Sequence, residues 1–195
     1  MNKDDLAALV REVQQTEHKY LLHGARHNPV TTPWMPYQPA DFIGILWECL
    51  PELTGKVFLD VGCGPGTKMR IAQDLLGFDV FGVEVDEEMA AEARKVFKAL
   101  RPNRIRTGDA LGYSERWYGD FDLVWLYRPF RDPFKEHDLE QKIMTALKPG
   151  AILAGSSWET DPGMLGWQPI VDDCLISPDG KSQIIRGAWQ KPLGA

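Results

Sequence analysis

The chain has 195 residues, of which 44% are hydrophobic and 26% charged, and its net charge is −6. This length suits one domain with a full core. The acidic balance argues against strong nonspecific nucleic-acid binding, which needs a basic surface, and no apolar run approaches the roughly 20 residues that cross a bilayer. We therefore expect a cytoplasmic protein with no membrane segment and no secretory signal peptide.

The first 54 residues predict a helical and extended cap. Apolar side chains recur at helical spacing over residues 4–26. A proline-rich extended segment follows, and either Pro39 or Asp41 begins a second helix that ends at Pro51.

The proline-rich segment carries large side chains on irregular backbone, at Trp34, Met35 and Tyr37. They either cover a ligand and form one wall of a substrate site, or pack on the sheet; the sequence leaves both readings open.

Residues 55–195 alternate between strands and helices. Strands are predicted at 57–61, 79–85, 103–109, 121–127 and 151–157, and helices at 67–77, 86–100 and 137–150, with one or two helical turns at 109–117. This alternation predicts a doubly wound α/β domain with a parallel sheet. Two final strands within 172–190, joined at Pro178-Asp179-Gly180, predict an antiparallel hairpin. We expect a mostly parallel seven-stranded sheet in a single domain, 1–195, divided into a cap (1–54) and a core (55–195).

Cysteine and histidine spacing predicts neither a disulfide framework nor a metal site. Cys49, Cys63 and Cys174 are far apart, and the chain has no CxxC pair. His23 and His27 are four residues apart, but no carboxylate or cysteine completes a ligand set.

The stretch VFLDVGCGPGT places a glycine loop after the first strand, with glycines at 62, 64 and 66. In doubly wound sheets, ligands bind at the carboxyl ends of the strands, where glycines allow close approach to the backbone. A dinucleotide fingerprint needs its third glycine one place later, where Thr67 stands. The carboxylate of Asp60 would repel a pyrophosphate but attract the ammonium and sulfonium of S-adenosylmethionine. Its alternative role is to cap the following helix.

With these features the chain resembles the class I S-adenosylmethionine-dependent methyltransferases over roughly residues 55 to 190. The resemblance implies that the loop wraps the methionine part of the cofactor and that Glu84 binds the ribose. It also implies that Asp109 accepts a hydrogen bond from the adenine amino group, with a backbone contact from Ala110. Glu84 as a solvated strand end and Asp109 as a turn residue are the alternatives. The predicted cofactor-binding set is Asp60, Gly62, Cys63, Gly64, Gly66, Glu84, Val85, Asp109, Ala110 and Tyr127.

The fourth strand ends in Tyr127-Arg128-Pro129-Phe130. Methyltransferases that modify base amino groups usually show Asn or Asp, two prolines and an aromatic here. Tyr127 and Arg128 depart from that pattern, so the proton acceptor for an amino group is missing. We predict that Tyr127 lines the methyl-transfer pocket and that Arg128 or Arg131 meets an anionic acceptor group. The alternative is that Tyr127 packs on the cofactor and both arginines are solvated.

The function predicted from the sequence is methyl transfer from S-adenosylmethionine to an unidentified substrate, with a small molecule favoured. One alternative is a non-catalytic protein that binds the same cofactor and acts through a partner. Another is an NAD-dependent oxidoreductase, because an acid at the end of the second strand suits either adenosine ribose.

Overall fold

The structure is a computed structural model that describes residues 3–22, 37–96, 104–156, 158–176 and 183–194. Seven strands lie within these ranges and form one sheet in the order β3-β2-β1-β4-β5-β7-β6. They are β1 (Val57–Val61), β2 (Asp79–Glu84), β3 (Ile105–Thr107), β4 (Leu123–Tyr127), β5 (Ile152–Ser156), β6 (Gln168–Ile176) and β7 (Gln183–Gln190). Strands β1 to β5 are parallel, whereas β7 is antiparallel to both β5 and β6. The predicted sheet and its antiparallel hairpin are confirmed, and the turn at 178–180 lies outside the described residues.

The α-helices of the described ranges are α1 (Lys3–Leu22), α2 (Pro39–Cys49), α3 (Thr67–Leu76), α4 (Glu87–Val96), α5 (Glu115–Tyr118) and α6 (Pro133–Ala146). Pro39, not Asp41, begins α2, because proline has no N–H to lose in a first helical turn. The predicted start of α6 at residue 137 is wrong by four residues. Asp132 caps the helix by accepting the Phe134 N–H at 2.9 Å, and Pro133 follows as its first residue.

Alternating side chains of the strands divide the core between the two faces of the sheet. On β1, Phe58 packs on the face covered by α1 to α4, whereas Leu59 and Val61 pack on the face covered by α5 and α6. Asp60 shares the face of Phe58, so its carboxylate points into the layer of α1 and α3. The order of hydrophobic residues along the strand thus fixes where this charge lies.

Helix α2 holds the cap against the sheet through aromatic contacts. Phe42 is fully buried, with its ring centroid 4.8 Å from that of Trp125 and 6.2 Å from that of Phe58. Burial of a side chain of this size contributes about 1.5–3 kcal/mol. The division of the chain at residue 54 stays a prediction. Across the described ranges, none of the helices combines the length and apolar composition that a bilayer crossing requires.

Candidate active site

The glycine loop between β1 and α3 is built on left-handed backbone. Gly62, Gly64 and Gly66 have φ values of 76°, 53° and 81°, a region that costs other residues roughly 1–2 kcal/mol each. The N–H groups of Gly62 and Cys63 both donate to the Val83 carbonyl, at 2.8 and 3.0 Å. The loop is therefore tied to β2 and turns at the carboxyl edge of the sheet.

Cys63 is buried within this loop. Burial raises the pKa of its thiol well above the usual value, and the carboxylates of Asp60 and Glu84 raise it further. A protonated, enclosed thiol is a poor nucleophile. The buried thiol therefore packs within the loop and does not act as a nucleophile.

Glu84 ends β2 beside the glycine loop and retains 7% of its accessible surface. Its Oε2 accepts the Gly64 N–H at 2.7 Å and its Oε1 accepts the Asp86 N–H at 2.9 Å. Burial raises the pKa of this carboxyl, and the two N–H groups oppose the shift. Each carboxylate oxygen can accept a further hydrogen bond, so the predicted ribose contact is compatible with this geometry. Glu84 is more than a solvated strand end, because it shapes the loop.

Asp60 is buried, with 2% of its surface accessible, and burial raises its pKa to about 7. Lys68 opposes that shift, whereas Glu84 adds to it. Its Oδ2 has no hydrogen-bond partner among the described residues. A buried carboxylate oxygen without a partner is costly, and a cationic ligand group would satisfy it. The alternative that Asp60 caps α3 is wrong, since Gly66 is the N-cap residue and no side chain bonds there.

A buried ion pair next to Asp60 was missed by the sequence reasoning. Glu17 of α1 accepts hydrogen bonds at its Oε1 from Thr67 Oγ1 at 3.0 Å and from Lys68 Nζ at 3.3 Å. The side chains of Glu17 and Lys68 are each only 8% exposed. Helix α1 is thus joined to the start of α3, directly behind the glycine loop.

Asp109 stands at the end of β3 and is exposed. Its Oδ1 accepts the Leu111 N–H at 2.9 Å and so caps the short 3-10 turn Ala110–Gly112. Ala110 is buried, and its carbonyl accepts the Tyr118 hydroxyl at 2.7 Å. The turn role weighed for Asp109 is therefore present. The exposed carboxylate keeps further acceptor positions, and its predicted contact with adenine stays a prediction.

Tyr127 ends β4 on the same face as Asp60 and is half-buried. Its ring lies edge-on to that of Tyr37, with centroids 5.2 Å apart, and Tyr37 makes a similar contact with Trp125 at 5.0 Å. Tyr37 therefore packs on β4 of the sheet, and its role as a wall of the substrate site stays a prediction. Burial raises the pKa of the Tyr127 phenol, so it stays protonated at neutral pH and does not serve as a base. Trp34, Met35, His23 and His27 lie outside the described residues.

The turn after β4 is strained and touches the glycine loop. Arg128 has φ 45°, the one non-glycine residue with positive φ in the described ranges, and its side chain is exposed. A methyl group placed on Gly62 would lie 3.4 Å from the Cβ of Pro129. The predicted acceptor residues and the predicted cofactor loop are therefore neighbours at one edge of the sheet. Arg131 is also exposed.

A second buried acid near this turn, Glu136, was also missed. Its Oε2 accepts the Phe130 N–H at 2.9 Å, and the residue retains 3% of its accessible surface. The error at the start of α6 hid it, because residues 133–136 were not predicted to be helical.

Residues 58–150 match the family model described as a methyltransferase domain. Over these residues, just under half of the chain, the protein carries a methyltransferase domain, as its resemblance to the class I S-adenosylmethionine-dependent methyltransferases implied. The matched region begins in β1 and ends just after α6, and so contains the glycine loop, Glu84, Asp109 and the turn after β4. The methyltransferase domain predicted from the sequence is confirmed.

One curated relative is the 2-methyl-6-phytyl-1,4-hydroquinone methyltransferase of Synechocystis sp. PCC 6803, which is 28% identical over 121 residues. The match covers 60% of this chain but only 38% of the relative. One similar solved structure is an RNA methyltransferase from Salinibacter ruber in complex with S-adenosyl-L-homocysteine. It has a TM-score of 0.60 and 22% sequence identity, and the match covers 83% of this chain and 96% of that one. The N-methyltransferase NodS from Bradyrhizobium japonicum WM9 has a TM-score of 0.63 and 13% identity, covering 92% and 98%. These two structures establish the likeness in fold.

Proposed function

We propose that this protein transfers a methyl group from S-adenosylmethionine, bound at the glycine loop, to a small-molecule acceptor at the end of β4. The observation that carries the proposal is Asp60, a buried carboxylate beside left-handed glycines with one oxygen that no described residue bonds. A ligand group with positive charge would complete this arrangement. When bound, the cofactor supplies a sulfonium-activated methyl group.

The protein's own part would be to bind and orient the two reactants. Asp60 would attract the amino-acid end of the cofactor, along the backbone of Gly62, Cys63, Gly64 and Gly66. Glu84 would accept the ribose hydroxyls while it continues to hold the Gly64 N–H. Val85, Asp109 and Ala110 would contact the adenine side, and Tyr127 would face the reacting end. Holding two reactants in the correct geometry can remove about 7–11 kcal/mol of a reaction's barrier.

The charge around the loop favours this cofactor over a dinucleotide. Asp60 and Glu84 lie close enough for Glu84 to raise the pKa of Asp60. Two acids beside a pyrophosphate would repel it, whereas they would attract an ammonium or sulfonium. Binding of NAD would therefore refute this choice of cofactor.

For the acceptor we propose a small molecule with an anionic group. Arg128 is exposed in the turn whose next residue, Pro129, lies against Gly62 of the glycine loop. A guanidinium binds carboxylates or phosphates through paired hydrogen bonds. The hydroquinone named for the Synechocystis relative is a small molecule. The net charge of −6 supports the same choice over RNA, which the Salinibacter relative is named for.

Binding and turnover would be tested separately. Calorimetric titration should show binding of S-adenosylhomocysteine and none of NAD; the reverse result would replace the cofactor. Tritiated methyl transfer into lysate fractions should label the small-molecule fraction, and label in RNA would refute the acceptor class. Binding without transfer to any fraction would favour the non-catalytic alternative. Tyr127→Phe and Arg128→Ala should each reduce transfer, and wild-type turnover in both would refute their assigned roles.

A further inference from the structure

The turn that joins β4 to α6 holds a conformation that its own sequence does not favour. Arg128 has φ 45°, where a side chain with a Cβ is strained. Strained residues persist only where the surrounding structure holds them, and they are concentrated at functional sites. Something outside residue 128 must therefore stabilise this turn.

Two contacts after Arg128 hold the turn in place. The ring of Phe130 is buried in the core on the α6 face. The Phe130 N–H donates to Glu136 Oε2 at 2.9 Å. Pro129, which precedes Phe130 in the chain, lies against Gly62 of the glycine loop. The position of the turn relative to the cofactor loop thus depends on an acid in the first turn of α6.

A buried carboxyl group is an unusual acceptor for a single backbone N–H group. Glu136 retains 3% of its accessible surface, and a neutral acceptor would satisfy the Phe130 N–H without the cost of burying a charge. The charged groups that face it are Glu140 on the same helix, Glu159 after β5 and Arg128 after β4. Burial, Glu140 and Glu159 raise its pKa to about 8, and the Phe130 N–H and Arg128 oppose them. The carboxyl is therefore mostly protonated at pH 7 and becomes mostly ionised above about pH 8.

We infer that Glu136 is a positioning residue for methyl transfer, which holds the Arg128–Phe130 turn against the glycine loop and, in its ionised form, attracts the Arg128 guanidinium. This inference rests on the proposed function, in which Arg128 binds the acceptor. Glu136 does not itself touch the acceptor. Its neighbour Glu140 has a different task, because its Oε2 accepts the Thr160 N–H at 2.6 Å. Glu140 thus offers a matched control.

The contact can be tested without any acceptor, by following the Phe130 amide in ¹H–¹⁵N NMR spectra as pH rises. In the wild type its resonance should titrate with a midpoint near the pKa of about 8 that Glu136 has. Glu136→Gln keeps an acceptor oxygen but has no charge, so the titration should vanish. Glu140→Gln should preserve it, with a lower midpoint because a neighbouring negative charge is removed. A Phe130 amide that does not titrate in the wild type, or that titrates equally in Glu136→Gln, would overturn the inference.

The functional readout is tritiated methyl transfer into the small-molecule fraction of lysate, with binding of S-adenosylhomocysteine measured beside it. Glu136→Leu should lower transfer about 10- to 100-fold, the cost of a displaced positioning group, and leave cofactor-product affinity within about twofold. Glu136→Gln should restore most of the transfer at neutral pH and remove its pH dependence near pH 8. Unchanged transfer in Glu136→Leu would overturn the inference, as would a parallel loss of binding.

If Glu136→Leu does not fold, the Gln variant carries the test through its pH profile. Failure of the proposed function is distinguishable from failure of this inference. Arg128→Ala with wild-type turnover would refute the proposed role of Arg128, while the Phe130 titration would still report whether Glu136 controls the turn.

Discussion

Removing the Glu17 carboxylate from α1 should destabilise the folded protein strongly. Glu17→Ala would leave Lys68 buried, with its 3.3 Å partner gone, and would remove the acceptor of Thr67. Breaking a buried pair from one side costs about 3–5 kcal/mol. Lys68 also interacts with Asp60, which offsets part of this loss. We therefore expect the free energy of unfolding to fall by about 2–4 kcal/mol.

Urea unfolding, followed by circular dichroism, would measure this loss. The midpoint should fall by about 1 M for a chain of this size. Glu12→Ala is the control, because Glu12 is 56% exposed and 3.6 Å from Arg70, where an ion pair contributes about 0–1 kcal/mol. The double variant Glu17→Leu/Lys68→Met should be more stable than Glu17→Ala, since the buried Lys68 ammonium is removed together with its partner. Equal losses in Glu17→Ala and Glu12→Ala would refute the reasoning.

Two further predictions concern the cofactor loop. Gly62→Ala would place a side chain on backbone with φ 76° and put its methyl group 3.4 Å from the Cβ of Pro129. The free energy of unfolding should fall by about 1–2 kcal/mol, and the affinity for S-adenosylhomocysteine should fall with it. An unchanged urea midpoint and an unchanged affinity would contradict this. Because the pKa of Asp60 is about 7, binding of the ligand ammonium at pH 7 should release roughly half a proton. Calorimetry in two buffers of different ionisation enthalpy would detect this proton release. The Asp60→Asn variant should release no proton. Equal binding heats in both buffers for the wild type would contradict the prediction.

The same pKa fixes how stability varies with pH in the ligand-free protein. Asp60 ionises with a pKa of about 7 in the folded protein but near 3.8, the ordinary value for an aspartate, in the unfolded chain. The unfolded chain therefore loses its proton first as pH rises. The contribution of Asp60 to stability is present below pH 3.8, declines as pH rises and is fully lost above about pH 7. A urea midpoint that declines over this range less in Asp60→Asn than in the wild type would support the assignment.

Local patterns were enough to predict the sheet and the glycine loop. β1 and α3 were predicted at their observed positions because a run of apolar residues, a glycine loop and a C-terminal Gly77 all act over a few neighbours. Glu17 and Lys68 are 51 positions apart, and helical periodicity says only that α1 has an apolar face, not what packs on it. The strain at Arg128 could not be predicted either, since arginine is not a residue type that favours a positive φ. Proline at 133 after an aspartate was a capping signal that could have placed α6 and revealed Glu136.

The place of β7 has a consequence for synthesis on the ribosome. This strand lies between β5 and β6, although β6 precedes it in the chain. Until residues 183–190 have emerged, β5 presents an open edge and β6 has nowhere to pair. Nascent chains stalled before that point would expose unpaired backbone amides, the surface on which strands from different molecules associate.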